Sequence, residues 1–226
     1  MLVHLGTRTS VSAVEQHEDD LPGLLVVLSG PAGVGKTTVA GRLLGRAGFV
    51  RSVSATTRNR REGEVDGRDY HFVDRERYGR MVAEGELIEH AEVFGNGYGT
   101  PKAPLREAIN RREVVLLVID VEGGRQVSEK RLDAFLVFLM PPDMTELQRR
   151  LEGRATETEN QKTIRLSRAD KEIEQAKELY DALVVNRDLG GCVEEVAKLI
   201  EERRKELKKR LERGERLYPG LEAKTA

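Results

Sequence analysis

The chain has 226 residues, of which 38% are hydrophobic and 34% charged, and its 38 basic and 39 acidic side chains leave a net charge of −1. That size supports one core with small insertions, and the even charge balance excludes a global pull toward nucleic acid or a lipid surface. No apolar stretch is long enough to span a bilayer, and the single cysteine, Cys192, excludes an internal disulfide and fits a reducing cytoplasm.

Residues 1–22 end in the acidic patch Glu18, Asp19 and Asp20. They show neither a clean period nor the regions of a signal peptide, and are expected to form a mobile extension. Leu24 to Leu28 is a continuous apolar run, as expected for a strand covered on both faces. A helix is predicted from Lys36 to about Arg46, with Val39, Leu43 and Leu44 inward. Phe49–Thr57 reads as one short strand, and the charged stretch "RNRREGEVDGRDYHF" (58–72) as a loop entering another strand at Tyr70–Val73. Residues 75–93 begin helical, with Tyr78, Met81 and Val82 on one face, and then become extended; "FGNGYGTP" (94–101) reads as a glycine-rich turn. A short helix is predicted over Leu105–Asn110, then apolar strands at Val114–Asp120 and Ala134–Met140 and a fourth at Leu183–Val185. Beyond Val193 the pattern is helical, with Val193, Val196, Ile200, Leu207 and Leu211 near helical spacing. Buried strands separated by helical stretches predict an α/β fold with a doubly wound parallel sheet.

Between the first strand and the first helix lies "GPAGVGKTT", that is Gly30, Pro31, Ala32, Gly33, Val34, Gly35, Lys36, Thr37 and Thr38. Gly30, Gly35, Lys36 and Thr37 have P-loop spacing in the required strand–helix context. Glycines let backbone N–H groups converge on a phosphate, and the helix start adds its positive end. Lys36 can bridge the β- and γ-phosphates and the Thr37 hydroxyl can reach Mg²⁺, so the bound anion is expected to be a nucleoside triphosphate. The motif alone leaves GTPase, ATPase and kinase open. No NKxD-like guanine reader occurs, and Arg58, Arg60 and Arg61, followed by Tyr70, are a candidate clamp for a second phosphate.

"SVSATTR", "REGEVDGRDYHF", "GELIEHAEVFGNGYGT", "LVIDVEGG" and "RRLEGRATETE" occur in the order and spacing of the guanylate kinase family, and the chain resembles that family from about Gly23 to Arg203. The resemblance implies a P-loop NTPase-type core with a small inserted GMP-binding subdomain and a helical lid, acting on ATP and GMP with Mg²⁺. It implies a guanylate kinase-like domain over 23–205, with the subdomain at about 54–104 and the lid at about 150–168, followed by a charged tail over 206–226. Ser54, Glu89, Thr100 and Asp120 then match base-reading positions, and Arg58, Arg61, Tyr70 and Tyr98 match positions holding the GMP phosphate. Arg150, Arg154 and Arg165 match lid-side arginines that put charge on the transferring phosphoryl group. Partners would be small nucleotides, with no nucleic acid and no membrane, and the chain could act as a monomer or a homodimer.

Guanine offers N1–H and an exocyclic amine on one edge, which an ionised Glu89 accepts together, whereas adenine presents a bare acceptor there. Two positions depart from the family pattern: Val118 stands where an acid is usual, and Glu122 where glutamine is usual. Glu122 is therefore a candidate to take over part of the metal organisation. A catalytically silent interaction module and a sugar-phosphate kinase are the competing readings; the intact P-loop argues against the first, and the base-reading set against the second.

Overall fold

The computed structural model describes residues 21–130, 132–152 and 159–221. In chain order the first elements are β1 (Leu24–Ser29), α1 (Lys36–Leu44), β2 (Phe49–Arg51), β3 (Ala55–Thr56), β4 (His71–Phe72), α2 (Arg75–Ala83), β5 (Leu87–Val93) and β6 (Asn96–Pro101). They are followed by α3 (Lys102–Asn110), β7 (Val114–Val118), α4 (Val121–Glu129), β8 (Phe135–Met140), α5 (Met144–Glu152), α6 (Glu159–Leu179), β9 (Ala182–Val185) and α7 (Leu189–Glu212). A single 3-10 turn, Pro219–Leu221, closes the described chain.

The continuous apolar runs behave as their composition dictates. Every residue of β1 is buried, because β1 lies mid-sheet with helices over both faces. The large sheet has five parallel strands in the order β2-β7-β1-β8-β9. α1 and α7 pack together, as do α4 and α6, around a core that includes Leu25, Val27, Val39, Leu43, Leu117, Phe138 and Val196. The chain leaves β1 toward β2 on one side and later returns to β8 on the other. The carboxyl end of β1 is therefore the switch point at which a doubly wound sheet opens a ligand crevice.

A second, four-stranded sheet has the order β4-β3-β6-β5. Ala55, Met81 and Leu87, with Val73, Tyr78 and Val82 against them, give it a small core separate from the main one. It is tied to α4 by the Gln126 amide, whose Oε1 accepts from the His90 N–H and whose Nε2 donates to the His90 carbonyl, both at 3.0 Å.

Three expectations are corrected. The single strand expected over 49–57 divides, with β2 joining the large sheet beside β7 and β3 joining the small one. The stretch 94–101 is not one turn: only Phe94 (φ 49°) and Gly95 (φ 72°) turn, as a two-residue hairpin connection, and Asn96–Pro101 is strand. Its glycines make room. A Cβ at Gly97 would lie 2.5 Å from the Tyr78 ring, and one at Gly99 would lie 2.9 Å from the Glu89 carbonyl oxygen. The third correction concerns the charged segment after 205, expected as a solvated tail. Leu207, Tyr218 and Leu221 are buried in the main core, although Leu211, expected on the same face, is exposed. The Tyr218 hydroxyl donates to the Gly23 carbonyl at 2.6 Å, and Asp133 accepts from Arg210 (2.7 Å) and from the Tyr218 N–H (3.0 Å). Of the N-terminal extension, residues 1–20 lie outside the described residues. Leu21 is buried, and its carbonyl and that of Pro22 accept from Arg204 at 3.0 and 2.8 Å.

Tyr218→Phe leaves the Gly23 carbonyl buried without its donor. It should lower unfolding free energy by about 1–2 kcal/mol, read as a reduced urea midpoint with unchanged slope.

Candidate active site

At the carboxyl end of β1 the backbone turns through Gly30, Gly33 and Gly35, with φ of 149°, 86° and 102°. Crowding adds to this conformational demand. A Cβ at Gly30 would lie 2.5 Å from the Leu139 carbonyl oxygen, and one at Gly35 would lie 2.7 Å from Asn186 Nδ2. Gly35 caps α1 in a left-handed conformation and contributes no side chain, so the first N–H groups of α1 are left for an anion. Lys36 Nζ donates to the Gly30 and Pro31 carbonyls at 2.5 and 3.0 Å, which holds the ammonium over the loop. Thr37 and Thr38 are exposed on the first turn of α1. Asn186 Nδ2 donates to the Val34 carbonyl at 2.8 Å and props the loop from the end of β9.

Glu89, on β5, is 6% exposed. Thr100 Oγ1 donates to its Oε1 at 2.6 Å, and the Ser54 hydroxyl lies 3.4 Å from Thr100 Oγ1, so these three expected residues form one polar chain. Burial raises the Glu89 pKa; Thr100 opposes the rise, and the charge of Asp120 adds to it. Asp120 is exposed and caps α4, accepting from the Gly123 N–H at 2.9 Å. Gly123 in turn lies beside Glu89 Oε2, so the base-reading candidates meet at the start of α4.

Arg58, Tyr70 and Tyr98 also come together. The Arg58 guanidinium lies 5.5 Å from the Tyr70 ring centroid and 5.8 Å from that of Phe72, and the Tyr70 and Tyr98 rings meet edge-on at 6.0 Å. Tyr78 Oη donates to the Tyr98 carbonyl at 2.8 Å, fixing the strand that carries that ring. Arg61 is exposed on the same loop. Glu64, absent from the expected set, pairs with both terminal nitrogens of Arg58 at 2.7 and 3.1 Å and accepts from the Arg61 N–H at 2.8 Å.

The lid-side arginines fare differently. Arg150, expected to charge the transferring phosphoryl group, is held beside the P-loop. Its Nε donates to Glu146 at 2.7 Å, Nη2 to the Asn186 carbonyl at 3.0 Å and Nη1 to the Val34 carbonyl at 3.4 Å. The geometry makes it a buttress of the P-loop together with Asn186. Arg154 lies outside the described residues, as does the side chain of Arg165, whose backbone falls in α6. Glu122 does not reach toward the loop either: Arg125 takes both its oxygens, at 2.6 and 3.0 Å. A carboxylate the sequence reading missed is Glu172, half-buried on α6 near the buried Ala169 and Ala176. Burial raises its pKa, while the Lys36 charge opposes that rise.

Among the described residues no cluster of three His, Cys, Asp or Glu side chains could hold a metal. A divalent ion here would rest on the Thr37 hydroxyl, nucleotide phosphates and water, a donor set that fits Mg²⁺. The glycine cradle fits a triphosphate, since Gly30, Gly33 and Gly35 adopt positive φ and carry no Cβ to bar an anion from the backbone.

The family model described as guanylate kinase matches residues 23–203. The chain is 44% identical over 180 residues to guanylate kinase of Zymomonas mobilis, covering 79% of this chain and 83% of that protein. It is 46% identical over 181 residues to guanylate kinase of Cereibacter sphaeroides, covering 79% and 85%. The crystal structure of guanylate kinase from Anaplasma phagocytophilum superposes with a TM-score of 0.63 at 38% identity, covering 82% of this chain and 88% of that one.

The raised pKa of Glu89 gives a signed prediction. Its folded pKa lies above the ordinary carboxylate value, so the folded state holds the proton longer than the unfolded chain. Without nucleotide, stability should fall as pH rises from about 4.5 through the folded pKa. Glu89→Gln should flatten that fall, and urea midpoints measured across this range check it.

Proposed function

The chain belongs to the guanylate kinase family and transfers a phosphoryl group from ATP to GMP; from that premise we propose how its residues divide the work. The observation that carries the proposal is the chain Glu89–Thr100–Ser54, a buried carboxylate already oriented by a hydroxyl and lying within one sheet of the arginine–tyrosine cluster. Glu89 accepts guanine N1–H and the exocyclic amine, and Asp120, Thr100 and Ser54 complete the base site. The incoming N–H groups favour the ionised carboxylate, so guanine binding offsets the burial that disfavours it. An adenine leaves Glu89 facing an acceptor, a mismatch worth roughly 10⁴-fold or more in discrimination.

Arg58, Arg61, Tyr70 and Tyr98 hold the GMP phosphate and aim one of its oxygens along the line to the ATP γ-phosphate. The N–H groups of the Gly30–Gly35 loop and Lys36 bind the ATP phosphates. Lys36, with Arg154 and Arg165, offsets the negative charge that spreads over the transferring group. Arg150 acts through the P-loop it supports. Mg²⁺, seated at Thr37, supplies further charge neutralisation on the phosphates when bound. No general base is needed, since the attacking phosphate oxygen is already ionised near neutral pH. The segment around 150–168 acts as the lid that keeps water from the γ-phosphate, and 54–104 as the acceptor subdomain. The module and sugar-phosphate readings are set aside: the cradle is intact, and a sugar phosphate has no base edge for Glu89. No helix among the described residues is long and apolar enough to cross a membrane. The buried free thiol of Cys192 supports a reducing, cytoplasmic location.

A coupled ADP-release assay with Mg–ATP should show turnover with GMP and little or none with AMP, CMP or UMP. Comparable rates with AMP would refute the role of Glu89. Glu89→Gln should lower kcat/KM for GMP by about 10²–10³-fold and narrow the GMP:AMP ratio. Lys36→Met should lower kcat by a similar factor, about 10²–10³, while GMP still binds.

A further inference from the structure

The polar loop between β3 and β4 contains a carboxylate that the base and phosphate sites leave without a task. Glu64 grips Arg58 end-on, with Oε1 2.7 Å from Nη2 and Oε2 3.1 Å from Nη1. The same Oε2 accepts from the Arg61 backbone N–H at 2.8 Å. Arg58 Nη1 also donates to the Asn59 carbonyl at 2.7 Å, and the guanidinium packs near the Tyr70 and Phe72 rings. The pair is well covered for a loop, with side-chain exposures of 15% for Arg58 and 20% for Glu64.

We propose that Glu64 is a positioning residue for the acceptor phosphate: it fixes the Arg58 fork and the Arg61 backbone in the arrangement the phosphate meets. This rests on the assignment of Arg58 and Arg61 to the GMP phosphate. Of the five guanidinium N–H groups, Glu64 and the Asn59 carbonyl together engage three. The two that remain belong to Nε and Nη2, on one edge of the plane. Glu64 is the chief cause that raises the arginine pKa, and the Tyr98 hydroxyl, a further hydrogen-bond partner of the guanidinium, adds to it, so Tyr98 lies by this group. An unheld arginine would have to surrender rotamer freedom on binding, and the fork removes most of that loss beforehand.

A rival physical effect is that the Glu64 charge repels the incoming dianion. The carboxylate is screened by the guanidinium between them and by solvent, so this repulsion is the smaller effect. Glu64 also stays ionised, because Arg58 first and the Arg61 N–H second hold its carboxyl below the usual range. Most solvent-facing ion pairs contribute little, but a bidentate arginine fork against aromatic rings is the geometry in which orientation is set.

The test measures dissociation constants for GMP and for guanosine on the full chain by calorimetry, for the wild type, Glu64→Gln, Arg58→Met and the double variant. Glu64→Gln should weaken GMP about ten-fold, the scale of one charge-assisted hydrogen bond, and leave guanosine unchanged. The double variant should be no weaker for GMP than Arg58→Met alone, and Glu64→Asp should recover part of the loss. Unchanged or tighter GMP binding in Glu64→Gln overturns the proposal, as does an equal loss for guanosine, which would indicate general damage to the loop. If Arg58→Met leaves GMP binding intact, the phosphate assignment itself fails; a loss there with Glu64→Gln unaffected removes Glu64 alone.

Discussion

The loop from Gly30 to Gly35 is pressed between the Leu139 carbonyl and Asn186 so closely that its first and last glycines have no room for a β-carbon. The consequence is geometric. The loop, the start of α1 and Lys36, whose ammonium is held by the Gly30 and Pro31 carbonyls, lie together at the switch point of the parallel sheet. Asn186 and Arg150 reach the Val34 carbonyl from β9 and α5, so elements distant in sequence hold that volume in shape. An anion bound there meets donors that need little rearrangement, the condition under which fixed dipoles stabilise a transferring charge.

The sheet proposed to hold the acceptor differs in solvent exposure along its length. The end proposed for the base is covered: Glu89 and Thr100 are buried, where an unmatched hydrogen bond is costly and hence discriminating. The end proposed for the phosphate is more open and strongly charged, with Arg61 exposed and Arg58 held in a partly covered fork. Orientation and charge there suit a group that, on this proposal, must be both held and aimed. The small core of Ala55, Met81 and Leu87 lets this sheet keep its own shape, while β5 joins the main body through Ile88, buried in the main core, and through polar bonds to α4 such as those of Gln126.

Much of this was legible in the sequence because it rests on local patterns. The apolar runs at 24–28, 114–118 and 135–140 become the three central strands, since a strand covered on both faces leaves nothing to alternate. The P-loop spacing is likewise local. What could not be read is what depends on approach between distant segments. Glycines 97 and 99 look like turn residues until Tyr78 and Glu89 are seen against them. Glu64 sits six residues after Arg58 in a loop without period, so nothing in the spacing marks it as the arginine's partner. That Arg150 donates to the Val34 and Asn186 carbonyls beside the P-loop likewise follows from the approach of α5, not from spacing. Tyr218 follows a stretch of lysines, arginines and glutamates outside any periodic pattern, and only the fold shows it buried against Gly23.

That last contact carries a consequence for biosynthesis. Gly23 immediately precedes the strand that delivers the P-loop, and its carbonyl is satisfied by Tyr218, nearly two hundred positions later. A nascent chain on the ribosome can form the central strands early, yet the amino-terminal edge of β1 stays incompletely bonded until residues 207–221 have emerged. Completion of the nucleotide-binding domain is thus a late event in translation, and a chain released short of that point would carry its cradle on an unfinished strand.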